Sequence, residues 1–327
     1  MERFNILDDW LELKAKDNGL VRLWLDGRFG DPIPIACGRK EPQSGMARQE
    51  EVVAFSAIWQ RARALIGEER FLNWQIAFPG VWDNWASAGR EGGFDAVVGN
   101  PPWDVLEFEE VPWFADRDVT ISQESSGAKR KARIATLKQK NSDLWRDFQV
   151  ASDRSSAASR MARSSGLYET LNRGKLNLFK LFVERAHALV KPQGIVGLLI
   201  PSGLASDQSS SRFFREVSDG RRVRCIIDFF NKRYDGSLFF PDVYYRFKFS
   251  TYVAGGKERT FQKPHFGFFI RNVDEVNDPE RVFAITADEI KLINPNSGTV
   301  PIFRSRRDKQ IASGIYARLP VLTDRSG

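Results

Sequence analysis

Phe94-Asp95-Ala96-Val97-Val98-Gly99-Asn100-Pro101-Pro102-Trp103 decides how this chain is read. Phe94 to Gly99 is a short apolar run, and it predicts a buried strand that delivers a stiff loop. Two consecutive prolines fix φ and remove two backbone donors, so the loop presents carbonyls. The Asn100 side-chain oxygen and the Pro101 carbonyl would together accept both hydrogens of an amino group. Acceptors placed where positive charge develops polarise a weakly nucleophilic amine without a general base. Trp103 offers a flat face for an aromatic base, a stack worth roughly 1–3 kcal/mol. The plainer reading is a strand-ending turn with Trp103 filling core.

Outward from this stretch the pattern is regular. Leu176, Leu178, Phe179, Phe182, Val183, Ala186, Leu189 and Val190 fall at helical spacing, with Lys191-Pro192-Gln193-Gly194 as the stop. Ile195 to Ile200 predicts a second buried strand. Serines 209 to 211 would open a helix through Phe213, Phe214 and Val217, and Val223 to Phe229 predicts a third strand. A β pair is expected between Leu238 and Val253, rich in Phe, Tyr and Val. This rhythm predicts an α/β fold: a partial doubly wound, Rossmann-like, mostly parallel sheet with helices on both faces and a terminal antiparallel β pair. Ligands of such sheets sit beyond the carboxyl ends of the strands, where Asn100 falls. Upstream, Gln49 to Ile66 has helical spacing with Gly67 as its end, and Phe71 to Phe78 predicts a short strand or turn entry.

The chain has 327 residues, 42% hydrophobic, with 25 Phe and 9 Trp, which suffices for one large domain or two ordinary ones. Two cysteines, Cys37 and Cys225, and two histidines argue against a disulfide framework or a Cys/His zinc site, so no metal is expected and a cytoplasmic setting is. The longest apolar run is far below the ~18 residues of a membrane span. The net charge of +7 is concentrated. From Arg117 to Ser165 there are eleven Lys/Arg against five Asp/Glu, with ten serines. This apolar-poor segment predicts a long mobile insertion or poorly ordered helical excursion, either a solvated loop or a flap on a nucleic-acid backbone through Lys129, Arg130, Lys131 and Arg133. A second basic run is Arg304-Ser305-Arg306-Arg307-Asp308-Lys309. Asp228, Glu107, Glu109 and Glu110 show no paired spacing of a nuclease and are read as surface acids.

Phe94 to Trp103 resembles motif IV of the S-adenosylmethionine-dependent N6-adenine DNA methyltransferases of the gamma motif order, in the restriction-modification and phage-defence group. Phe71 to Trp82 is similar to the aromatic segment that precedes motif IV there. Leu176 to Pro201 looks like motifs V and VI, and Ile226 to Phe229 with Leu238 to Val243 looks like the later strands. The likeness covers roughly residues 70 to 255.

The resemblance implies that Asn100 and Pro101 accept from the adenine N6 amine, and that Trp103, after Pro102, stacks on a base flipped out of duplex DNA. It implies that Asn177 and Phe179 border the cofactor, S-adenosyl-L-methionine. It also implies a second stacking aromatic, for which Tyr244, Tyr245 and Phe249 are candidates, with core packing the competing reading for these three and for Phe179.

The family's glycine-rich motif I is not found. Gly27-Arg28-Phe29-Gly30 and Ile35-Ala36-Cys37-Gly38 lack the flanking strand and helix. The expectation is therefore part of a longer or split enzyme: a mixed segment over 1–90, a methyltransferase core over 91–255 with its basic insertion at 117–165, and over 256–327 a linker or the start of a target-recognition region. Its missing partners would be an N-terminal cofactor-binding segment and a target-recognition domain. Methylation of a protein glutamine or an RNA adenine, and a catalytically incomplete DNA-binding remnant, are the alternatives.

Overall fold

The computed structural model describes residues 92–319 continuously, together with 20, 23–24, 26–36, 39–43, 46–69, 72, 74–78 and 80–82. The chain divides into two compact units. One is Met1–Ala77 with Phe108–Ala158, and the other is Phe78–Glu107 with Ser159–Gly327.

The second unit is built on a mixed six-stranded sheet: β1 (Phe94–Gly99), β2 (Val190–Pro201), β3 (Val223–Phe230), β4 (Lys248–Gly255), β5 (His265–Ile270) and β6 (Val282–Ala284), in the order β1-β2-β4-β3-β5-β6. β1 pairs with β2 and β3 with β5 in parallel; β4 runs antiparallel between β2 and β3, and β6 antiparallel to β5. Most strands thus share one direction, as expected. Their carboxyl ends and the start of β4 lie at the same end of the sheet.

On one face Val196, Leu198 and Ile200 of β2 and Tyr252 of β4 meet Phe179 and Val183 of the helix Leu178–Leu189 and Phe213, Phe214 and Val217 of the helix Ser211–Asp219. Each such side chain contributes roughly 1.5–3 kcal/mol by leaving water. The helix Ala287–Ile293 adds Ile290 to the same face. The opposite face is covered by Trp103, Phe239 and Phe240 rather than by a helix. Gly236 and Pro241 leave no helical period in the connecting segment.

Three expectations about the strands and their residues change. Strand β1 forms but is not buried: it is the sheet edge, and Val98 is 78% exposed. Its inner edge is held tightly, because a Cβ on Gly194 would lie 2.5 Å from Val190 Cγ2 and 2.8 Å from the Asp95 carbonyl. Second, Leu238–Val253 is not a β pair. Only β4 forms there, while Leu238 makes a single bridge to Lys232, since Pro241 offers no donor for a ladder. The terminal antiparallel pair is β5–β6, so the sheet runs past the boundary expected at residue 255. Third, Asp228 is not a surface acid. It is 6% exposed, accepts from Ser250 Oγ at 3.0 Å and faces Lys248 Nζ at 3.6 Å.

The first unit is helical. The helix Gln49–Glu69 runs through Gly67, where a Cβ would meet nothing, and Val52, Phe55 and Trp59 bury Phe29 and Ile35. Trp74–Ala77 is a short helix rather than a strand, with Phe71, Asn73 and Pro79 outside the described residues. The basic segment is not a mobile insertion. The helices Val119–Ser122, Gly127–Lys140 and Ser142–Ser164 are capped at their starts by Asp118 and Ser126 and by Asn141 accepting from Leu144 N–H. Ile121, Ile134 and Leu137 pack with Phe114 and Phe148 into their own core. Its composition is poor in apolar residues, but those few converge at helical spacing.

Candidate active site

Asn100 follows β1 directly at the carboxyl end of the sheet. It is exposed, and its side chain makes no hydrogen bond to a described residue, so its amide oxygen is available to a ligand. Pro101 is buried beneath it. The loop is tied down immediately beyond Trp103: Leu178 N–H donates to the Asp104 carbonyl at 2.9 Å and Leu106 N–H to the Leu176 carbonyl at 2.8 Å. Val105 and Asn177 thereby form a bridge that brings the start of the helix Leu178–Leu189 alongside the loop.

Trp103 is half-buried, and its Nε1–H points to the Leu199 carbonyl at 3.4 Å. Its ring stacks on Phe247 (centroids 5.5 Å apart, planes within 9°), meets Phe240 edge-on at 5.5 Å and lies 6.4 Å from Phe249. A base inserted between parallel rings needs about 7 Å, twice the 3.4 Å stacking step. Phe247 therefore occupies one face of Trp103 and must shift before a base takes that face.

The remaining candidates separate. Asn177 sits at the start of its helix, half-buried, with no capping bond from its side chain. Phe179 is 3% exposed within the main core, and Phe249 is buried with Ile227, Phe229 and Ile270, so both side chains are core. Tyr244 and Tyr245 are exposed, pack on each other at 4.7 Å, and are not among the rings around Trp103. Of the proposed backbone cations, Arg130 pairs with Glu110 at 3.0 Å and Arg133 with Glu124 at 3.1 Å. Lys129 and Lys131 face solvent.

Sequence reasoning missed Phe240 and Phe247, although both lie in the aromatic run that drew attention to Tyr244, Tyr245 and Phe249. It also missed a cavity of about 120 Å³ at the same end of the sheet, where Ser202, Asp207, Asp228, Lys248 and Ser250 share the lining with Leu204, Ile226, Phe268 and Ile302. Burial pushes the Asp228 carboxyl above the usual carboxylate range, opposed by Lys248 and by the Ser250 hydroxyl. Nearby Lys180 is buried, donates from Nζ to Ser209 Oγ at 2.8 Å, and is pushed below the usual lysine range by desolvation. Neither the apolar spacing nor any motif marks these groups.

A stiff Asn-Pro-Pro-Trp loop thus stands at the carboxyl end of a mixed α/β sheet. Residues 31–148, just over a third of the chain and including this loop, match the family described as Eco57I restriction-modification methylase. No curated protein matches the chain. Among solved structures, the DrdV–DNA complex is similar at 14% identity and TM-score 0.28, over 66% of this chain and 16% of that one. The type I restriction-modification methyltransferase subunit from Streptococcus thermophilus is similar at 9% identity and TM-score 0.28, over 89% and 46%. A putative class I S-adenosylmethionine-dependent methyltransferase from Listeria monocytogenes is similar at 10% identity and TM-score 0.27, over 86% and 94%. The chain spans less than half the length of the first two. These likenesses are loose, and the fold assignment rests on the sheet itself. No described helix is long and apolar enough to cross a membrane.

Proposed function

We propose that this chain is the base-handling part of an S-adenosylmethionine-dependent DNA methyltransferase acting on adenine N6. The observation that carries the reading is Asn100: an exposed, unengaged amide on a doubly proline-stiffened loop, beside an aromatic cluster centred on Trp103. Asn100 Oδ1 and the Pro101 carbonyl accept the two amine hydrogens of a flipped adenine, and Trp103 holds its ring. S-adenosylmethionine would supply the methyl group. The described residues do not form a site for it: the Gly27–Gly30 turn wraps buried Phe29 into the helical unit, and the described residues before it, Leu23 and Trp24, are helical. Among the described residues nothing pairs with the outer edge of β1, and exposed Val98 supports a further strand there, brought by the cofactor-binding segment. With the Gly27–Gly30 turn taken up by the helical unit, a DNA-binding remnant is the second reading.

Labelled methyl transfer from S-adenosylmethionine to duplex DNA separates the two. The chain completed with its cofactor-binding segment is expected to yield N6-methyladenine in the nucleoside digest. Failure to bind S-adenosylmethionine in that form would leave the remnant reading, and label in RNA or in protein glutamine would redirect the substrate.

On the helix Gly127–Lys140, Lys129 and Lys131 are proposed to contact DNA phosphates, while Arg130 and Arg133 spend their charge on Glu110 and Glu124. Lys129→Ala with Lys131→Ala is expected to flatten the slope of log affinity against log salt by about 2, at ~0.9 per lost phosphate contact. Arg130→Ala should instead lower thermal stability. An unchanged slope in the double lysine variant would make the helix a solvated surface.

A further inference from the structure

Past the carboxyl ends of β3 and β5, cations and rings are interleaved. Lys232 and Arg246 lie 5.7 and 5.3 Å from the Tyr245 ring, and Arg233 lies 4.2 Å from Phe239. Arg271 lies 4.4 Å from Phe230 and 5.8 Å from Tyr234, while Lys248 and Arg304 approach Phe269 at 5.7 and 5.1 Å. Folded proteins hold roughly one significant cation–π pair per 70–80 residues, yet each of these six cations has one. Among the described residues only Lys248 of the six forms an ion pair with a carboxylate, that of Asp228. Tyr244 is 61% and Tyr234 64% exposed, so neither ring is explained by core packing. Phe247, stacked on Trp103, links the patch to the Asn100 loop.

We propose that this surface binds an unpaired stretch of DNA strand, the bases stacking on Tyr244 and Tyr245 and the phosphates meeting Lys232, Arg246, Arg271 and Arg304. A paired duplex hides its base faces, so exposed rings between cations with no carboxylate partner among the described residues fit a strand whose bases are open, as they are beside a flipped nucleotide. The proposal deepens the DNA reading of the Asn100 loop and rests on it, but its test does not require methyl transfer.

The experiment is fluorescence anisotropy of the full chain with a labelled single-stranded DNA 20-mer, the same sequence as blunt duplex, and the same sequence as RNA. Tyr244→Leu with Tyr245→Leu is expected to weaken single-strand binding about tenfold or more and duplex binding less than twofold, with circular dichroism unchanged. Lys232→Ala with Arg246→Ala should lower the single-strand salt slope by about 1.4. Single-strand affinity unchanged in both variants overturns the proposal, as does equal loss on duplex. A marked preference for the RNA strand also overturns it. Asn100→Ala is expected to bind all probes normally, so loss of methyl transfer alone speaks to the loop and not to this surface.

Discussion

Asn100→Ala is expected to lower methyl transfer by about 10²–10³-fold while DNA affinity stays within twofold. Removing one preorganised polar group from a site of developing charge costs on that order in kcat. In the proposed reaction Asn100 would supply the acceptor that no neighbour can replace: Pro101 offers only its carbonyl, and Pro102 and Trp103 have no side-chain acceptor. The side chain is exposed and makes no hydrogen bond to a described residue, so its truncation should leave stability within about 0.5 kcal/mol. Asn100→Asp keeps an acceptor oxygen and should retain more activity than the alanine variant. Single-turnover transfer in the enzyme completed with its cofactor-binding segment, with anisotropy on the same DNA, checks all of this. Activity of the alanine variant within threefold of wild type would remove Asn100 from the chemistry.

Trp103→Ala differs, because the ring proposed to hold the base also packs on Phe247, Phe240 and Phe249. That double role explains which parts were legible in the sequence. The four segments that build β1, β2, β3 and the helix Leu178–Leu189 are apolar runs or helical periods, all but β3 closed by Gly or Pro, and their local signal suffices. The proline pair marks the loop equally plainly. The exposure of β1 was not legible, because a strand's burial depends on whether another strand lies beside it. Nor were Phe240 and Phe247: they reach Trp103 only because β4 inserts antiparallel between β2 and β3, pairing Phe249 with Pro201 across a long sequence separation. His265–Ile270 did carry a local signal, a run with Phe266, Phe268 and Phe269 in it, but the sheet was expected to end before it. Asp228 is the converse case. A strand-end acid looks like surface until the strands on both sides of it are known.

Between pH 6.5 and 5 the sheet unit is expected to lose stability at about 1.4 kcal/mol per pH unit, through His187. His187 is buried on the helix Leu178–Leu189, with Nε2 2.8 Å from the Tyr252 hydroxyl and Nδ1 without a partner. Desolvation, aided by the Arg222 charge, pushes its pKa down to about 3. The unfolded chain takes up a proton near the ordinary histidine value of 6.5, the folded one only near 3, so the unfolded state binds more protons throughout that window. The stability is present above 6.5 and is lost as pH falls, by as much as about 5 kcal/mol if the window is crossed completely, against a typical total of about 5–15. Asp228 acts with the opposite sign, since its raised carboxyl favours the fold in acid. Glu275 and Glu289, held low by hydrogen bonds and by Arg281 and Lys309, add their own losses only as pH falls through the carboxylate range. Asp228 contributes equally to wild type and to His187→Gln, so the difference between the two proteins over 6.5 to 5 isolates the histidine. Urea unfolding should show wild type losing stability relative to His187→Gln as pH falls through this interval. A difference between the two that does not change with pH would show that His187 is not the group being protonated.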